Sequence, residues 1–234
     1  MSTSARAPKR EAKNSGDRIP YKITVTDPED GTVDCSEVTI NPALGHDDHE
    51  HPTNDIPGCE GTVDTGDLGG HPEGADLTYV LNAKYTDGGG DGAPALTGYG
   101  RSVLQPKLKQ AEYHDDQSGT RIVDQTGAAN GKRIGDISDG DWVAFEPMSV
   151  EGVDSVSYQV SSPYGVGAIE LRAGAPDGEL LATTPIPNTG DWDVYRPTDP
   201  VPVKAHDGTH KLYLVFTSPQ NNAFDVDTVE FSGP

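Results

Sequence analysis

The stretch Ile134–Phe145, IGDISDGDWVAF, sets the reading of the chain. Asp139-Gly140-Asp141 at its centre is a turn signal: aspartates that bond back to their own backbone, around a glycine free to take positive φ. Ile134 and Ile137 precede the turn, and Trp142, Val143 and Phe145 follow it, so the run predicts strand, tight turn, strand. Alternating apolar runs recur on both sides. Val156, Tyr158 and Val160 form one, and Leu212, Leu214 and Phe216 another. Strands are predicted near Gln110–Tyr113, Thr120–Asp124, Arg133–Ile137, Asp141–Phe145, Ser155–Ser161, Ala168–Ala173, Leu180–Pro185, Trp192–Arg196, His210–Thr217 and Val226–Phe231. No helical period emerges.

Further out, Tyr21, Ile23 and Val25 alternate with Lys22, Thr24 and Thr26, and Asp27–Gly31 is a turn. Val33–Ile40, Gly61–Thr65, Leu77–Thr86 and Arg101–Gln105 read as further strands. Met1–Asp17 has almost nothing apolar to bury and is expected to be a disordered lead-in. The chain is therefore predicted to be all-β, with two β-sandwich domains over residues 18–106 and 107–234. The first pattern suggests an Ig-like sandwich. Its opening, IPYKITVTDPEDG, resembles the Ig-like or cadherin-like spacers of large secreted enzymes. The 28 glycines and 19 prolines suit short strands joined by turns.

A net charge of −21 argues against a nucleic-acid partner, which needs a basic face, and against docking on anionic lipid. High solubility explains the charge, and so does adaptation to high salt, where screening removes the self-repulsion. No apolar run approaches the length of a membrane span. Cys35 and Cys59 each lie beside a strand-like run and can pair in only one way, so a disulfide and a secreted location are expected. Two buried free thiols are the alternative. The first 17 residues lack the apolar core of a signal peptide and read as a lead-in or linker within a longer secreted protein.

The segment Leu44–Pro52, LGHDDHEHP, brings His46, His49 and His51 within six positions, and His71 follows in GGHP. This spacing suits a loop wrapping zinc or copper through imidazole nitrogens, with Asp47, Asp48, Glu50 and Asp55 orienting the rings or ligating. The plain alternative is a polar, solvated loop. No nucleophile elbow, phosphate loop or dinucleotide fingerprint is present, so no catalytic residues are assigned.

Six segments in order carry a resemblance: Gln110-Ala111-Glu112, Gly135–Trp142, Ile169–Arg172, Thr189–Trp192, Gly208–Phe216 and Asp225–Phe231. Together they resemble a family 6 carbohydrate-binding module, a non-catalytic jelly-roll β-sandwich that binds sugars and carries a structural calcium. The resemblance implies a sugar site in the loops at one end of the sandwich, at Asp136, Trp192 and Asp225. Trp192 matches the family pattern. Asp136 stands where the family has an aromatic, and Asp225 where it has an asparagine. Tyr164, in SSPYGVG, supplies a substitute aromatic wall. The resemblance also implies a second site on a sheet face at Trp142, with Gln117 and Glu170 as hydroxyl partners. Each tryptophan has packing as its alternative role. The acids at 136 and 225 would favour ligands with cationic groups, or glycans bridged by calcium, over anionic ones such as uronates. For calcium the resemblance implies Glu112, Asp227, the Lys132 carbonyl and Gln110.

Three functional readings follow. The first is a non-catalytic, calcium-bearing glycan-binding piece of a larger extracellular protein, monomeric and joined to further domains, with an oligo- or polysaccharide as partner. The second is a spacer pair without sugar binding. The third is a metalloprotein centred on the histidine loop.

Overall fold

The computed structural model describes residues 2–6, 18–27, 33–46, 49–65, 75–89, 92, 94–208 and 210–233. It falls into two units, Met1–Gly70 with Leu77–Pro106, and His71–Asp76 with Lys107–Pro234.

Unit 1 contains strands β1 (Ser2–Arg6), β2 (Arg18–Thr26), β3 (Thr39–His46), β4 (His49–Pro52), β5 (Ile56–Pro57), β6 (Glu60–Asp64), β7 (Leu77–Thr86) and β8 (Thr97–Leu104). They form two antiparallel sheets, β1-β2-β6 and β4-β3-β7-β8, with β5 added to β3. β2 alternates as its sequence dictates. Ile19, Tyr21 and Ile23 point inward and meet Ile40, Leu81, Ala83, Tyr85 and Leu104 of the other sheet in one core.

Three expectations change here. Ser2–Arg6, read as disordered, is a strand paired with β2 from Ser2↔Thr26 to Arg6↔Lys22. An open strand edge recruits another segment through main-chain hydrogen bonds, which need no apolar side chains. Residues 7–17 lie outside the described residues. The start of the predicted strand Val33–Ile40 is instead a 3-10 turn at Cys35–Glu37, capped where Asp34 Oδ1 accepts from Ser36 N at 2.9 Å. The histidine segment, read as a loop, forms the facing arms of the β3–β4 hairpin. Asp47, Asp48 and His71 lie outside the described residues.

Cys35 and Cys59 are disulfide-bonded, as expected. Cys35 leads into β3 and Cys59 into β6, so the bond ties one sheet to the other. Closing a loop of about 25 residues stabilises by about 3 kcal/mol in the chain-entropy account. Reduction should therefore speed amide exchange in β3 and β7 by about a hundredfold. Unchanged protection in the reduced protein would show that the bond does not hold the sandwich.

Unit 2 contains β9 (Leu108–Gln110), β10 (Asp116–Ser118), β11 (Arg121–Asp124), β12 (Lys132–Gly135), β13 (Trp142–Met148), β14 (Ser155–Ser161), β15 (Ala168–Ala173), β16 (Glu179–Pro185), β17 (Arg196–Pro197), β18 (Val201–Pro202), β19 (His210–Thr217) and β20 (Asp225–Ser232). One sheet runs β10-β13-β19-β15-β16. The other runs β11-β12-β20-β14-β17, with β9 on β20 and β18 on β14. Apart from the consecutive pairs β11–β12 and β15–β16, neighbours in each sheet are distant in sequence, as in a jelly-roll sandwich. Val143, Phe145, Ile169, Leu171, Leu212, Leu214 and Phe216 of one sheet are buried with Ile134, Val156, Tyr158, Val160, Val226, Val229 and Phe231 of the other.

Ile134–Phe145 does hold two strands, but they are not a hairpin. β12 belongs to one sheet and β13 to the other, so the intervening turn carries the chain across the sandwich. Gly140 takes φ 83°, and Asp141 Oδ2 accepts from Ser138 N at 2.7 Å, as the turn chemistry predicted. Asp139 Oδ1 instead accepts from Ser218 N at 3.0 Å, which pins the turn to the end of β19. Ile137 is fully buried at the crossing.

Two further differences bear on the site. The predicted strand Gln110–Tyr113 ends at Gln110, and Ala111–Tyr113 is a 3-10 turn. β20 carries a bulge: Gln159 faces Thr228 and Val160 faces Val226, which leaves Asp227 without a cross-strand partner. A bulge re-aims one side chain while the flanking residues keep their faces.

Candidate functional site

Two loops at one end of unit 2 present aromatic rings. Tyr164 lies between β14 and β15, and Trp192 between β16 and β17. Their ring centroids are 5.8 Å apart at an interplanar angle of 80°. Tyr164 is 51% exposed, and Trp192 is half-buried. Trp192 was expected to open a strand. It sits instead in a turn, where Thr189 Oγ1 donates to Asp191 O at 3.0 Å and Val194 N to Asp191 O at 3.4 Å.

The corner is held by groups that sequence reasoning passed over. Ser162 N donates to Thr189 Oγ1 at 2.9 Å, and Thr189 N to Ser162 O at 2.8 Å. Ser162 Oγ donates to Ala223 O at 2.7 Å and accepts from Gly165 N at 3.1 Å. Ser162 and Thr189 are both buried. Asn188 Nδ2 donates to Pro163 O at 3.0 Å. Gly165 has φ 65°, and a Cβ there would lie 2.7 Å from Asn188, so only glycine lets the two loops close. The signal in the sequence was the turn chemistry of SSPYG and PNTGD, which marks loops as structured without saying that they meet.

A perpendicular ring pair at this separation leaves no slot between the rings. It offers one ring face as a platform with the other ring's edge beside it. That geometry suits the apolar C–H face of a sugar ring, with the hydroxyls left for polar partners.

The two acids implied as partners have other roles. Asp225 is 1% exposed, and its Oδ1 lies 2.7 Å from Arg133 Nη1 while its Oδ2 accepts from Ser161 Oγ at 3.3 Å. Burial pushes its carboxyl up to about 6, and the Arg133 guanidinium only partly offsets this. Asp136 is exposed, with φ 59°, and forms an ion pair with Arg121. Neither acid is an uncompensated charge, so the expected bias toward cationic ligands has no basis in the geometry.

Trp142 lies on the outward face of its sheet. It packs edge-to-face on Tyr213, centroids 5.1 Å apart, beside Ala144 and Val215. The register places Glu170 on this face, opposite Val215, with its Oε2 2.8 Å from both Arg172 Nε and Arg172 Nη2. Gln117 pairs with Val143, a core residue, and so belongs to the opposite face from Trp142.

Gln110, Glu112 and Asp227 are all buried. Gln110 Oε1 and Glu112 Oε2 have no hydrogen-bond donor among the described residues. Glu112 Oε1 accepts from Asn130 Nδ2 at 3.2 Å, and both oxygens of Asp227 accept from Ala129 N at 3.1 Å. Burial raises both carboxyls above their ordinary range, and the nearby Asp227 charge adds to the effect at Glu112. Lys132 Nζ is turned to Asp124 at 3.3 Å. Buried, under-satisfied oxygens carrying two formal charges fit a hard cation. The surrounding loop reaches the aromatic corner, since Gln125 Nε2 donates to Asp193 Oδ1.

A jelly roll with an aromatic platform on pinned loops has the form of a sugar-binding module. Residues 110–233 match the sequence profile described as Carbohydrate binding module (family 6). The chain belongs to this family. It is 32% identical over 109 residues to the arabinoxylan arabinofuranohydrolase of Bacillus subtilis; the match covers 45% of this chain and only 21% of that enzyme. Among solved structures, the β-1,3-glucan-binding family 6 module from Bacillus halodurans is 35% identical, with a TM-score of 0.50, over 54% of this chain and 95% of that one. The Clostridium cellulolyticum family 6 module in complex with xylose is 28% identical, with a TM-score of 0.50, over 53% of this chain and 95% of that one.

Proposed function

We propose that residues 107–234 bind a neutral β-linked polysaccharide, a xylan or a β-1,3-glucan, at the corner formed by Tyr164 and Trp192. The observation that carries this reading is the aromatic pair, Tyr164 exposed and Trp192 half-buried, on loops fixed by the Ser162–Thr189 bonds. Its relatives of known structure include a module complexed with xylose and one that binds β-1,3-glucan. Stacking one sugar ring on one aromatic contributes about 1–3 kcal/mol, so affinity for short oligosaccharides is weak. Titration calorimetry with xylo- and β-1,3-gluco-oligosaccharides tests the proposal. Trp192→Ala should weaken binding at least about tenfold, and Trp142→Ala by less than about threefold. Binding that survives Trp192→Ala would remove the loop site. No binding to any polysaccharide would leave a spacer role.

In this proposal the side chains of Gln110, Glu112 and Asp227, with the Lys132 carbonyl, hold a structural calcium. The ion supplies positive charge to buried carboxylates and ties the entry of the module to its last strand. Because the adjoining loop bonds to Asp193, the ion would also steady the Trp192 turn. Unit 1 serves as a spacer, and the whole is a non-catalytic part of a longer extracellular protein. The disulfide supports that location, as does similarity to part of a polysaccharide-degrading enzyme.

A further inference from the structure

Unit 1 carries a cluster that glycan binding does not use. His46 ends β3, and His49 faces it across the hairpin as the first residue of β4. His51 lies two residues further along β4, opposite Leu44. Side chains two apart on a strand share a face, as do directly paired residues, so the three imidazoles project from one side of the hairpin. This side continues the one that buries Ile40 and Leu44 in the unit 1 core. The rings converge. The His46 and His49 centroids are 4.0 Å apart, those of His46 and His51 4.9 Å, and those of His49 and His51 5.0 Å. His46 Nε2 and His51 Nε2 are 2.9 Å apart, and one ligand nitrogen from each ring lies within 4.8 Å of the others.

We propose that these three histidines form a binding site for a divalent first-row transition metal, with zinc as the reference ion. Tetrahedral zinc bonded to imidazole nitrogens at about 2.0–2.1 Å spaces them about 3.3 Å apart, within the range the cluster already spans. Among the described residues the donor set is nitrogen alone. Glu50, on the other side of the hairpin, is committed to Arg101 and to Asn82, whose Nδ2 donates to it at 3.2 Å. Asp55 Oδ1 accepts from Asn41 Nδ2 at 2.8 Å. The sequence-based expectation that these two carboxylates assist the imidazoles therefore does not hold. Imidazole donors select zinc, copper, nickel or cobalt over calcium and magnesium, so this site is chemically distinct from the oxygen-lined one in unit 2. The three imidazoles supply three of the four positions of a tetrahedral ion. The −21 net charge raises the local concentration of any cation.

The test uses the full chain, made without a polyhistidine tag, purified without an immobilised metal and saturated with calcium. Zinc is titrated in competition with a chromophoric chelator, and cobalt(II) is followed by its visible spectrum. One equivalent of zinc should bind, with the intense d–d bands of tetrahedral cobalt. Loss of even an indirect partner weakens metal sites about 10–100-fold, so His51→Ala and His46→Ala should each weaken binding by at least about a hundredfold. His206→Ala removes one member of a ring pair in unit 2 whose centroids are 4.3 Å apart, and should leave zinc affinity unchanged. Circular dichroism of His51→Ala confirms that the sheets persist. The proposal is overturned if zinc binding is not saturable at one equivalent, if the hairpin variants bind as tightly as the parent, or if only His206→Ala abolishes it.

Discussion

Adding calcium to chelator-treated protein should raise the unfolding temperature of the module by about 10 °C. A ligand at a thousand times its dissociation constant stabilises by about 4 kcal/mol, and each kcal/mol moves a domain of this size by a few degrees. Asp227→Ala, or Glu112→Ala, should abolish the response. The dependence on pH separates this from nonspecific screening. Without metal, burial lifts both carboxyls, so the folded chain binds protons more tightly than the unfolded one. Their contribution to metal-free stability is then full below the ordinary carboxylate range and is lost as pH rises through the raised values. With calcium bound, the two groups are held ionised, and the added stability is full at neutral pH and lost in acid. Melting curves taken across pH with calcium and with chelator should slope in opposite senses. Identical curves under both conditions would remove calcium from the description of this protein.

Asp225→Ala destabilises the module by about 3–5 kcal/mol, because it strands the Arg133 guanidinium, 15% exposed, beside an apolar core. Replacing both partners, as in Asp225→Ala with Arg133→Met, should recover most of that loss, since neither charge then remains buried. Denaturant unfolding of the four chains in a double-mutant cycle measures the coupling. The parent also carries a pH signature from this pair. The Asp225 carboxyl sits at about 6 in the fold, so its contribution is favourable in acid and declines as pH rises through that value. A single variant as stable as the parent would mean that Arg133 finds water or another partner, and that Asp225 has no structural role.

The alternation in Val156–Val160 and Leu212–Phe216 was enough to place β14 and β19, because burial on one face requires that period. Pairing was not legible in the same way. Asp139-Gly140-Asp141 announces a turn, but turn chemistry is local and does not say that β12 and β13 join different sheets. The strand expected to start at Trp192 does not form, because Asp191 O accepts from Thr189 Oγ1 and Val194 N and closes a turn there. The histidine hairpin lacked a strand signal, since HEHP offers neither β-branched residues nor alternation. At the candidate site, Trp192 and Tyr164 were legible as aromatics in polar loops. Arg121 and Arg133, which neutralise Asp136 and Asp225, were not, because they meet these acids only through the pairing of β11 with β12 and of β12 with β20.

The bulge in β20 makes Asp227 a supernumerary residue. Phe224 and Val226 alternate inward, and so do Val229 and Phe231, but the two pairs are out of step by one residue. Removing residue 227 would bring them into step and move no inward side chain to the wrong face. Asp227 is thus an insertion laid over a complete sheet, not a core residue exchanged for an acid. Among related chains, the count of residues between the two inward pairs, more than the identity of any one of them, would track whether the oxygen-lined site is kept.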